Sequence, residues 1–321
     1  MDRVRLRLAM WDYDYVSPIV MGDVSADGIE VSLARKPEAL DLVLNEPEVD
    51  GGEASFSRYL HRIVKGDSSF VGLPVFLMRE FRQRCFFVRQ ESSLDDLTQL
   101  AGKSVGTDVW AASGNVWSRG LIRERGVSIA SIAWRLGRVN PGDPPIPIAD
   151  LPREVKTAPV EGSLSEWLVG GEIDAIMCSL PPEEFHSQTS RVRRLYRDYR
   201  NAEREYYLRT KIFPALHILV LRRAVVDRHP WVVPKLYATF KHARKRSENN
   251  HLMLHESSPW ILADLEDRRA LMGPDFEPYG YRENQAMVAA FCEEQFVQGL
   301  IGAPLKPDLL FEEFENLLRC A

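Results

Sequence analysis

Short apolar runs recur along the chain and are separated by longer stretches with helical spacing. The first run alternates Val4, Leu6 and Leu8 with arginine and alanine, a pattern typical of a strand. Strand-like runs lie at 4–10, 29–33, 71–76, 85–89, 103–106, 173–177 and 217–222. Helical patterns fill many of the intervals between them, so the order of elements predicts an α/β fold.

Two crossings of the chain divide this pattern into two lobes. Residues 1–88 begin lobe I, and a helix starting near Ser92 opens lobe II, which spans residues 89–216. The strand that begins at His217 returns the chain to lobe I, which residues 217–321 complete. A chain of 321 residues is long enough for two cores, and the two crossings predict a hinge and a central cleft.

Two segments of lobe II have the layout of a small-ligand lobe. Residues 108–120 follow a short apolar strand and open a helix, with Ser113, Gly114 and Asn115 at its start. Backbone N–H groups at a helix start favour an anion, so these three residues are predicted to bind one. Residues 171–177 read as a helix end that runs into a buried strand. The spacing matches neither a Walker nor a dinucleotide motif.

Composition and charge exclude several classes of protein. The formal net charge of -5 is dispersed, and the short basic run at 241–246 reads as a solvated helix face, so no nucleic-acid partner is expected. The four cysteines lack metal-site spacing and are expected to be reduced thiols. No apolar run approaches the length of a membrane span, and residues 4–10 read as a strand instead of an export signal. We therefore expect a cytoplasmic protein, and homo-oligomerisation is left open.

Several short motifs are spread over nearly the whole chain. They are Trp-Asp-Tyr-Asp at 11–14, Glu-Ala-Ser-Phe-Ser-Arg-Tyr-Leu at 53–60, residues 72–76, Arg-Glu-Phe-Arg at 79–82, residues 171–175, 212–217 and 229–231. Together they resemble the 4,5-dihydroxyphthalate decarboxylases, which are similar in fold to type II periplasmic binding proteins. The resemblance implies a cofactor-independent carboxy-lyase that acts on a hydroxylated aromatic carboxylate such as 4,5-dihydroxyphthalate. No ligand spacing in the sequence supports a metal site, and metal dependence is left open.

The chain departs from that family pattern at two places. Gln83 and Arg84 stand where the family usually has His-Ser, and Leu216 replaces a methionine of similar volume. The change at Gln83 removes a candidate proton donor and keeps open a biosynthetic lyase with a different substrate. A non-catalytic binding protein for small anions is the other alternative, and such a protein normally carries an export signal.

The implied reaction sets the residue types that a site would need. Loss of carbon dioxide from an electron-rich ring requires protonation of the carbon that carries the carboxylate. A base at the ring hydroxyls helps by accepting a proton as charge moves into the ring. Cations are needed to hold the carboxylates.

Three residues are candidates for the proton chemistry. Asp12 and Glu53 could accept the hydroxyl protons, although Asp12 is equally suited to cap a helix and Glu53 could be a simple exposed charge. His217 starts a strand at the predicted hinge and can exchange a proton near neutral pH, so the family resemblance makes it the proton donor. Without that resemblance, a buried structural histidine would be the preferred interpretation.

Arg79 and Arg82 are the candidates for binding carboxylates. On one helical turn they would share a face, whereas in an extended segment they would point to opposite faces. Arginine suits planar, bidentate binding of a carboxylate, although a solvated basic loop explains either residue alone nearly as well. Trp110 could stack on a substrate ring, but Trp110 and Trp117 are seven residues apart and such pairs more often face a core.

Overall fold

The computed structural model describes residues 3–146, 151, 162–253 and 258–320. Its strands are β1 Val4–Met10, β2 Ile29–Arg35, β3 Gly51–Ser55, β4 Phe70–Arg79, β5 Phe86–Arg89, β6 Ser104–Thr107, β7 Ala133–Leu136, β8 Ala175–Met177, β9 Val192–Arg194 and β10 Ala215–Arg222. Its α-helices are α1 Ser17–Val20, α2 Ala39–Asn45, α3 Phe56–Val64, α4 Ser113–Glu124, α5 Leu164–Gly170, α6 Tyr199–Thr210, α7 Arg223–Arg228, α8 Val232–His251, α9 Ile261–Met272, α10 Gln285–Val297 and α11 Glu312–Arg319. The α/β class is therefore confirmed.

The chain divides into two compact units. Unit 1 comprises residues 1–79, 215–289 and 305–321, and unit 2 comprises residues 80–214 and 290–304. The crossings were predicted at 88 and 217, and the return of residues 290–304 to unit 2 was not predicted. That return is explained by packing, because Phe291 lies against Trp117 with ring centres 5.3 Å apart.

Unit 1 is built on a five-stranded sheet with the order β2-β1-β3-β10-β4. Strands β2, β1 and β3 are parallel, and β10 is antiparallel to both β3 and β4. The alternation that predicts β1 also sets its faces, since Leu6 and Leu8 are buried while Arg5 and Arg7 are exposed.

Strand β3 is the central strand of this sheet, and its two glycines leave room for the backbones of the neighbouring strands. A Cβ atom on Gly51 would lie 2.3 Å from the Val220 carbonyl oxygen, and one on Gly52 would lie 2.0 Å from the Ala9 carbonyl oxygen. Gly52 also has a φ of 142°, which side-chain-bearing residues rarely adopt. The two glycines therefore let β3 approach the backbones of β1 and β10 closely.

Unit 2 repeats the sheet arrangement with the order β7-β6-β8-β5-β9. Strands β7, β6 and β8 are parallel, and β5 is antiparallel to β8 and β9. The predicted helix end before β8 is confirmed, because α5 stops at Gly170 and Gly171 takes the left-handed conformation with a φ of 88°. The predicted helix near Ser92 is instead a short 3-10 helix, Leu97–Leu100, that Asp96 caps.

Each unit has its own apolar core. The core of unit 1 joins β1, β4 and β10 to α8 through side chains such as Leu8, Leu73, Leu219 and Leu236. The main core of unit 2 collects buried side chains from β5, β6, β8 and α4. None of the helices in the described ranges is long and apolar enough to cross a membrane.

Candidate active site

A buried carboxylate in unit 1, that of Glu53, gathers three hydrogen-bond donors. The side chain of Glu53 is fully buried on β3. Its Oε2 accepts a hydrogen bond from the Trp11 backbone N–H at 2.7 Å, and its Oε1 accepts one from the Tyr13 hydroxyl at 2.5 Å. The same Oε1 lies 2.5 Å from Nδ1 of His217. We call Trp11, Tyr13, Glu53 and His217 the Glu53 group.

Strand register explains why these residues meet. Glu53 pairs with Leu219 and Ser55 pairs with His217 across the antiparallel β3 and β10 strands. Glu53 and His217 are therefore diagonal neighbours on one face of the sheet, within reach of long side chains. The segment that contains Trp11 and Tyr13 leaves the end of β1, the parallel neighbour of β3 on its other side.

The hydrogen bonds of the Glu53 group determine which nitrogen of His217 can exchange a proton. An ionised carboxylate only accepts hydrogen bonds, so Nδ1 of His217 carries the proton that faces Glu53. The other ring nitrogen, Nε2, is then the atom that can exchange a proton with a substrate. The His217 side chain is 12% exposed, and the Trp11 ring packs edge-on against it with ring centres 5.7 Å apart.

Tyr13 is held as a hydrogen-bond donor. Burial, with the Glu53 charge as the second cause, raises the pKa of Tyr13 well above its usual range. Its ring also stacks on Tyr15, with ring centres 5.0 Å apart and planes 11° from parallel. The phenol therefore stays protonated and its hydroxyl keeps pointing at Glu53.

Asp12 lies outside the Glu53 group. Its carboxylate is 65% exposed and forms an ion pair with Arg35 at 2.7 Å. The helix-cap alternative is not seen either, since the 3-10 helix Asp14–Val16 has Tyr13 at its N-cap and no side-chain cap bond. The structure therefore does not bring Asp12 to Glu53 and His217, which it does bring together.

Arg79 is the last residue of β4 and is bound within unit 1. Its guanidinium donates to the Pro278 carbonyl at 2.9 Å and to Oδ1 of Asn284 at 2.7 Å. It also lies over the Phe76 ring, 4.8 Å from the ring centre. Burial lowers the pKa of Arg79 to about 10. This arginine therefore braces the end of β4 against the 278–284 segment.

Arg82 belongs to unit 2, so the proposed shared helical face with Arg79 does not form. Its side chain is 1% exposed. Nε donates to the Ser118 hydroxyl at 3.1 Å, Nη2 donates to the Ser179 hydroxyl at 3.0 Å, and Nη1 pairs with Glu80. The spacing rule fails because Arg79 ends a strand and Arg82 directly precedes a 3-10 helix, Gln83–Cys85.

The guanidinium of Arg82 lies against the first turn of α4. Helix α4 begins at Ser113, so Ser113, Gly114 and Asn115 form its first turn and do not precede it. A Cβ atom on Gly114 would lie 2.9 Å from Cζ of Arg82. Glycine at this position therefore leaves room for the guanidinium. The N-terminal end of a helix is positive, and the Arg82 guanidinium lies beside it with Glu80 as its paired carboxylate. We call Glu80, Arg82, Gly114, Ser118 and Ser179 the Arg82 group.

Asn115 and Trp110 have structural roles. The Asn115 side chain donates to Asp108 at 2.5 Å and to the Val109 carbonyl at 2.9 Å. Trp110 is 3% exposed in the unit 2 core and packs edge-on against Trp134 at 5.2 Å. The interpretation of Trp110 as a core residue is therefore supported over substrate stacking.

Gln83 belongs to neither group. It is 5% exposed and borders a small cavity of about 70 Å³ together with Tyr196 and Tyr206. Its neighbour Arg84 forms a two-pronged ion pair with Glu203, at 2.7 and 2.9 Å.

Several members of the two groups were not predicted from the sequence. Tyr13 and Trp11 stood inside the quoted 11–14 motif, but the prediction fell on Asp12. Glu80 stood inside the 79–82 motif and Ser118 inside the 108–120 segment, but neither was selected as a site residue. Ser179 carried no signal beyond its residue type. Among the residues that the structure describes, no three His, Cys, Asp or Glu side chains are grouped to hold a metal ion.

The chain is similar to two curated proteins. It is 31% identical over 322 residues to a 4,5-dihydroxyphthalate decarboxylase from Comamonas testosteroni, covering 97% of each sequence. It is 29% identical over 213 residues to a 4,5-dihydroxyphthalate decarboxylase from Pseudomonas putida, covering 64% of this chain and 83% of the relative. No family model matches the chain.

Solved structures with the same fold include binding proteins and an enzyme. The periplasmic aliphatic sulphonate binding protein SsuA from Escherichia coli aligns with a TM-score of 0.54 at 14% identity, covering 95% of this chain and 91% of that one. A mutant of the desulfurization enzyme DszB in complex with biphenyl-2-sulfinic acid aligns with a TM-score of 0.54 at 15% identity, covering 99% of this chain and 100% of that one. These likenesses show a periplasmic-binding-protein-like fold, whereas the predicted hinge and cleft stay predictions.

Proposed function

The chain belongs to the 4,5-dihydroxyphthalate decarboxylase family, and on this premise we propose that it releases carbon dioxide from 4,5-dihydroxyphthalate or a closely related hydroxylated aromatic carboxylate. The observation that carries the mechanism is the 2.5 Å contact between Oε1 of Glu53 and Nδ1 of His217. It supports a histidine whose second nitrogen is available for proton transfer.

In the proposed reaction, protonated His217 gives its Nε2 proton to the ring carbon that carries the departing carboxylate. The electron pair of the bond between that carbon and the carboxylate returns to the ring as carbon dioxide leaves. A hydroxyl para to this carbon supplies electron density for the protonation step. His217 then recovers a proton from solvent, and the overall change replaces a carboxylate by a hydrogen atom.

Glu53 acts through His217 in this scheme. Since its two oxygens already accept bonds from Trp11, Tyr13 and His217, it is a positioning residue and not the base at the ring hydroxyls. Its negative charge stabilises the imidazolium and fixes the ring orientation, as carboxylates that accept a hydrogen bond from metal-binding histidines do. The prediction that Asp12 is the hydroxyl base stays a prediction and has no part in the reaction that we propose.

We propose that the Arg82 group provides a carboxylate site in unit 2. The Arg82 guanidinium and the start of α4 each favour an anion, and Glu80 balances one of these two positive features. Ser113 and Gly114 stand in the same first turn of α4. Arg79 is omitted from this site because it lies in unit 1 and is held by Pro278 and Asn284.

Turnover of 4,5-dihydroxyphthalate by the purified protein tests the proposal. Carbon dioxide and 3,4-dihydroxybenzoate would be followed with and without a chelator. Stoichiometric formation of both products that persists with the chelator is the expected result. Binding of the compound without any product would instead favour a small-anion binding protein. Absence of both binding and turnover would direct attention to other aromatic acids and to a lyase of different substrate.

A further inference from the structure

Unit 2 contains a cavity of about 450 Å³ that shares no residue with either the Glu53 group or the Arg82 group. It lies beside the C-terminal half of α4, the 126–132 segment, β7 and the end of α10. Its volume falls in the range of small-molecule sites, which is roughly 300–1,000 Å³. The cavity is therefore large enough for a ligand of one or two rings.

Part of the cavity wall is apolar, and polar residues such as Arg123, Ser128 and Gln298 form the rest. Trp110 and Trp134 contribute two indole rings at an interplanar angle of 83°. Val127 and Ile132, both buried, and the partly exposed Val297 line the same space. The two indoles are only 3% and 2% exposed, so a small part of each ring reaches the cavity beside these aliphatic side chains.

Positive charge exceeds negative charge around this cavity. Arg119 is completely buried and its guanidinium lies 3.8 Å from the centre of the Trp110 ring, directly behind the wall. Its Nε donates to Gln298 and its Nη2 to the Trp110 carbonyl, both at 2.8 Å. Nη1 of Arg119 and Nε1 of Trp110 are buried and have no hydrogen-bond acceptor among the described residues.

Arg123 brings a second cation to the cavity itself. It lines the cavity and pairs with Glu294 at 2.6 Å through Nη1. Glu294 is also the carboxylate whose charge acts on Arg119. The Glu294 carboxylate therefore interacts with both Arg119 and Arg123. The Arg123 guanidinium has further N–H groups that can donate to another acceptor.

We propose that this cavity is a second binding site for an aromatic carboxylate, with the ring against the apolar wall around Val127, Ile132 and Val297 and the carboxylate at Arg123. The apolar part of the wall favours the ring, and the N–H groups of Arg123 that Glu294 leaves unused favour the carboxylate. The inference goes beyond the proposed reaction and does not depend on it, because it uses only residues of this cavity.

Calorimetric titration with 2-naphthoate tests the proposal on the full-length protein. Ala130→Trp fills the cavity from its exposed rim, and Arg123→Gln removes the cation. We expect each substitution to raise the dissociation constant about tenfold or more. For Arg123→Gln, this factor corresponds to the loss of one charge-assisted hydrogen bond. Arg125→Gln is the matched control, since Arg125 does not line the cavity and pairs with Asp96 at 3.0 Å on the surface. It should change the affinity less than twofold.

His217→Ala separates this site from the proposed reaction centre. Binding at the cavity is expected to persist in that variant, even if the proposed reaction proves wrong. The inference is overturned if wild-type protein gives no saturable heat. It is also overturned if Ala130→Trp and Arg123→Gln both bind normally while retaining the wild-type unfolding temperature, or if only His217→Ala abolishes binding.

Discussion

The Glu53 group in unit 1 and the Arg82 group in unit 2 are both buried ions surrounded by hydrogen bonds, but their signs and their remaining capacities differ. Three donors converge on the Glu53 carboxylate, and one of them, His217, has a second ring nitrogen for exchange. Two serine hydroxyls and Glu80 converge on the Arg82 guanidinium.

This difference assigns different chemistry to the two groups. An imidazole nitrogen can either donate or accept a proton, so the Glu53 group can transfer a proton. A guanidinium remains protonated under all assay conditions, so the Arg82 group can hold an anion but cannot act as an acid or base. Substitutions in the Glu53 group should therefore reduce kcat, and substitutions in the Arg82 group should mainly raise KM.

The largest effect is expected for His217→Ala. Removal of the proton donor should lower kcat by about 10²–10⁴-fold, the usual contribution of general acid catalysis. The measurement is the initial rate of carbon dioxide release at saturating 4,5-dihydroxyphthalate. A kcat within threefold of wild type, in a variant that unfolds at the wild-type temperature, would remove His217 from the mechanism.

A smaller loss is expected for Glu53→Gln. The amide preserves the shape of the side chain but removes the charge that orients and stabilises the imidazolium. We expect kcat to fall by about 10–100-fold, as for other positioning carboxylates. Tyr13→Phe is the companion variant, because it removes one hydrogen bond and leaves the charge in place. If Tyr13→Phe is slower than Glu53→Gln, the charge is not the important feature.

For Arg82→Lys we expect a rise in KM of about tenfold with kcat changed less than threefold. An ammonium cannot reproduce the bonds to both Ser118 and Ser179, and loss of one charge-assisted bond accounts for this magnitude. Steady-state kinetics with varied substrate provides the measurement. A drop in kcat at unchanged KM would contradict the assignment of proton transfer to the Glu53 group and of anion binding to the Arg82 group.

The smallest effect is expected for Asp12→Asn. The carboxylate of Asp12 is exposed and its partner Arg35 is also at the surface, so the pair should contribute about 0–1 kcal/mol to the free energy of unfolding. We expect kcat to change less than twofold in the decarboxylation assay. A loss of tenfold or more would restore Asp12 as the base at the ring hydroxyls.

The fold was more predictable from the sequence than the site was. Alternation of apolar residues located β1, and the apolar run at 217–222 located β10, because both strands bury one or both faces. Strand β3 was missed because Gly-Gly-Glu-Ala-Ser lacks the β-branched and aromatic residues that mark strands. Its glycines are required by the neighbouring backbones, which no local pattern reports.

The direction of side chains was the other feature that could not be predicted from the sequence. The 11–14 motif contains both Asp12 and Tyr13, but Asp12 turns to Arg35 while Tyr13 turns to Glu53. Such choices depend on partners that are distant in sequence. The spacing of Arg79 and Arg82 likewise could not show that a unit boundary falls between them.

A double-mutant cycle on Glu53 and His217 tests most directly whether Glu53 contributes to catalysis only through His217. The measured quantity is kcat for carbon dioxide release by wild type, Glu53→Gln, His217→Ala and the double variant. If Glu53 acts only through His217, the double variant should be no slower than His217→Ala alone, within about threefold, because strongly coupled residues are not additive. Multiplicative losses in the double variant would contradict this account and would give Glu53 a role of its own.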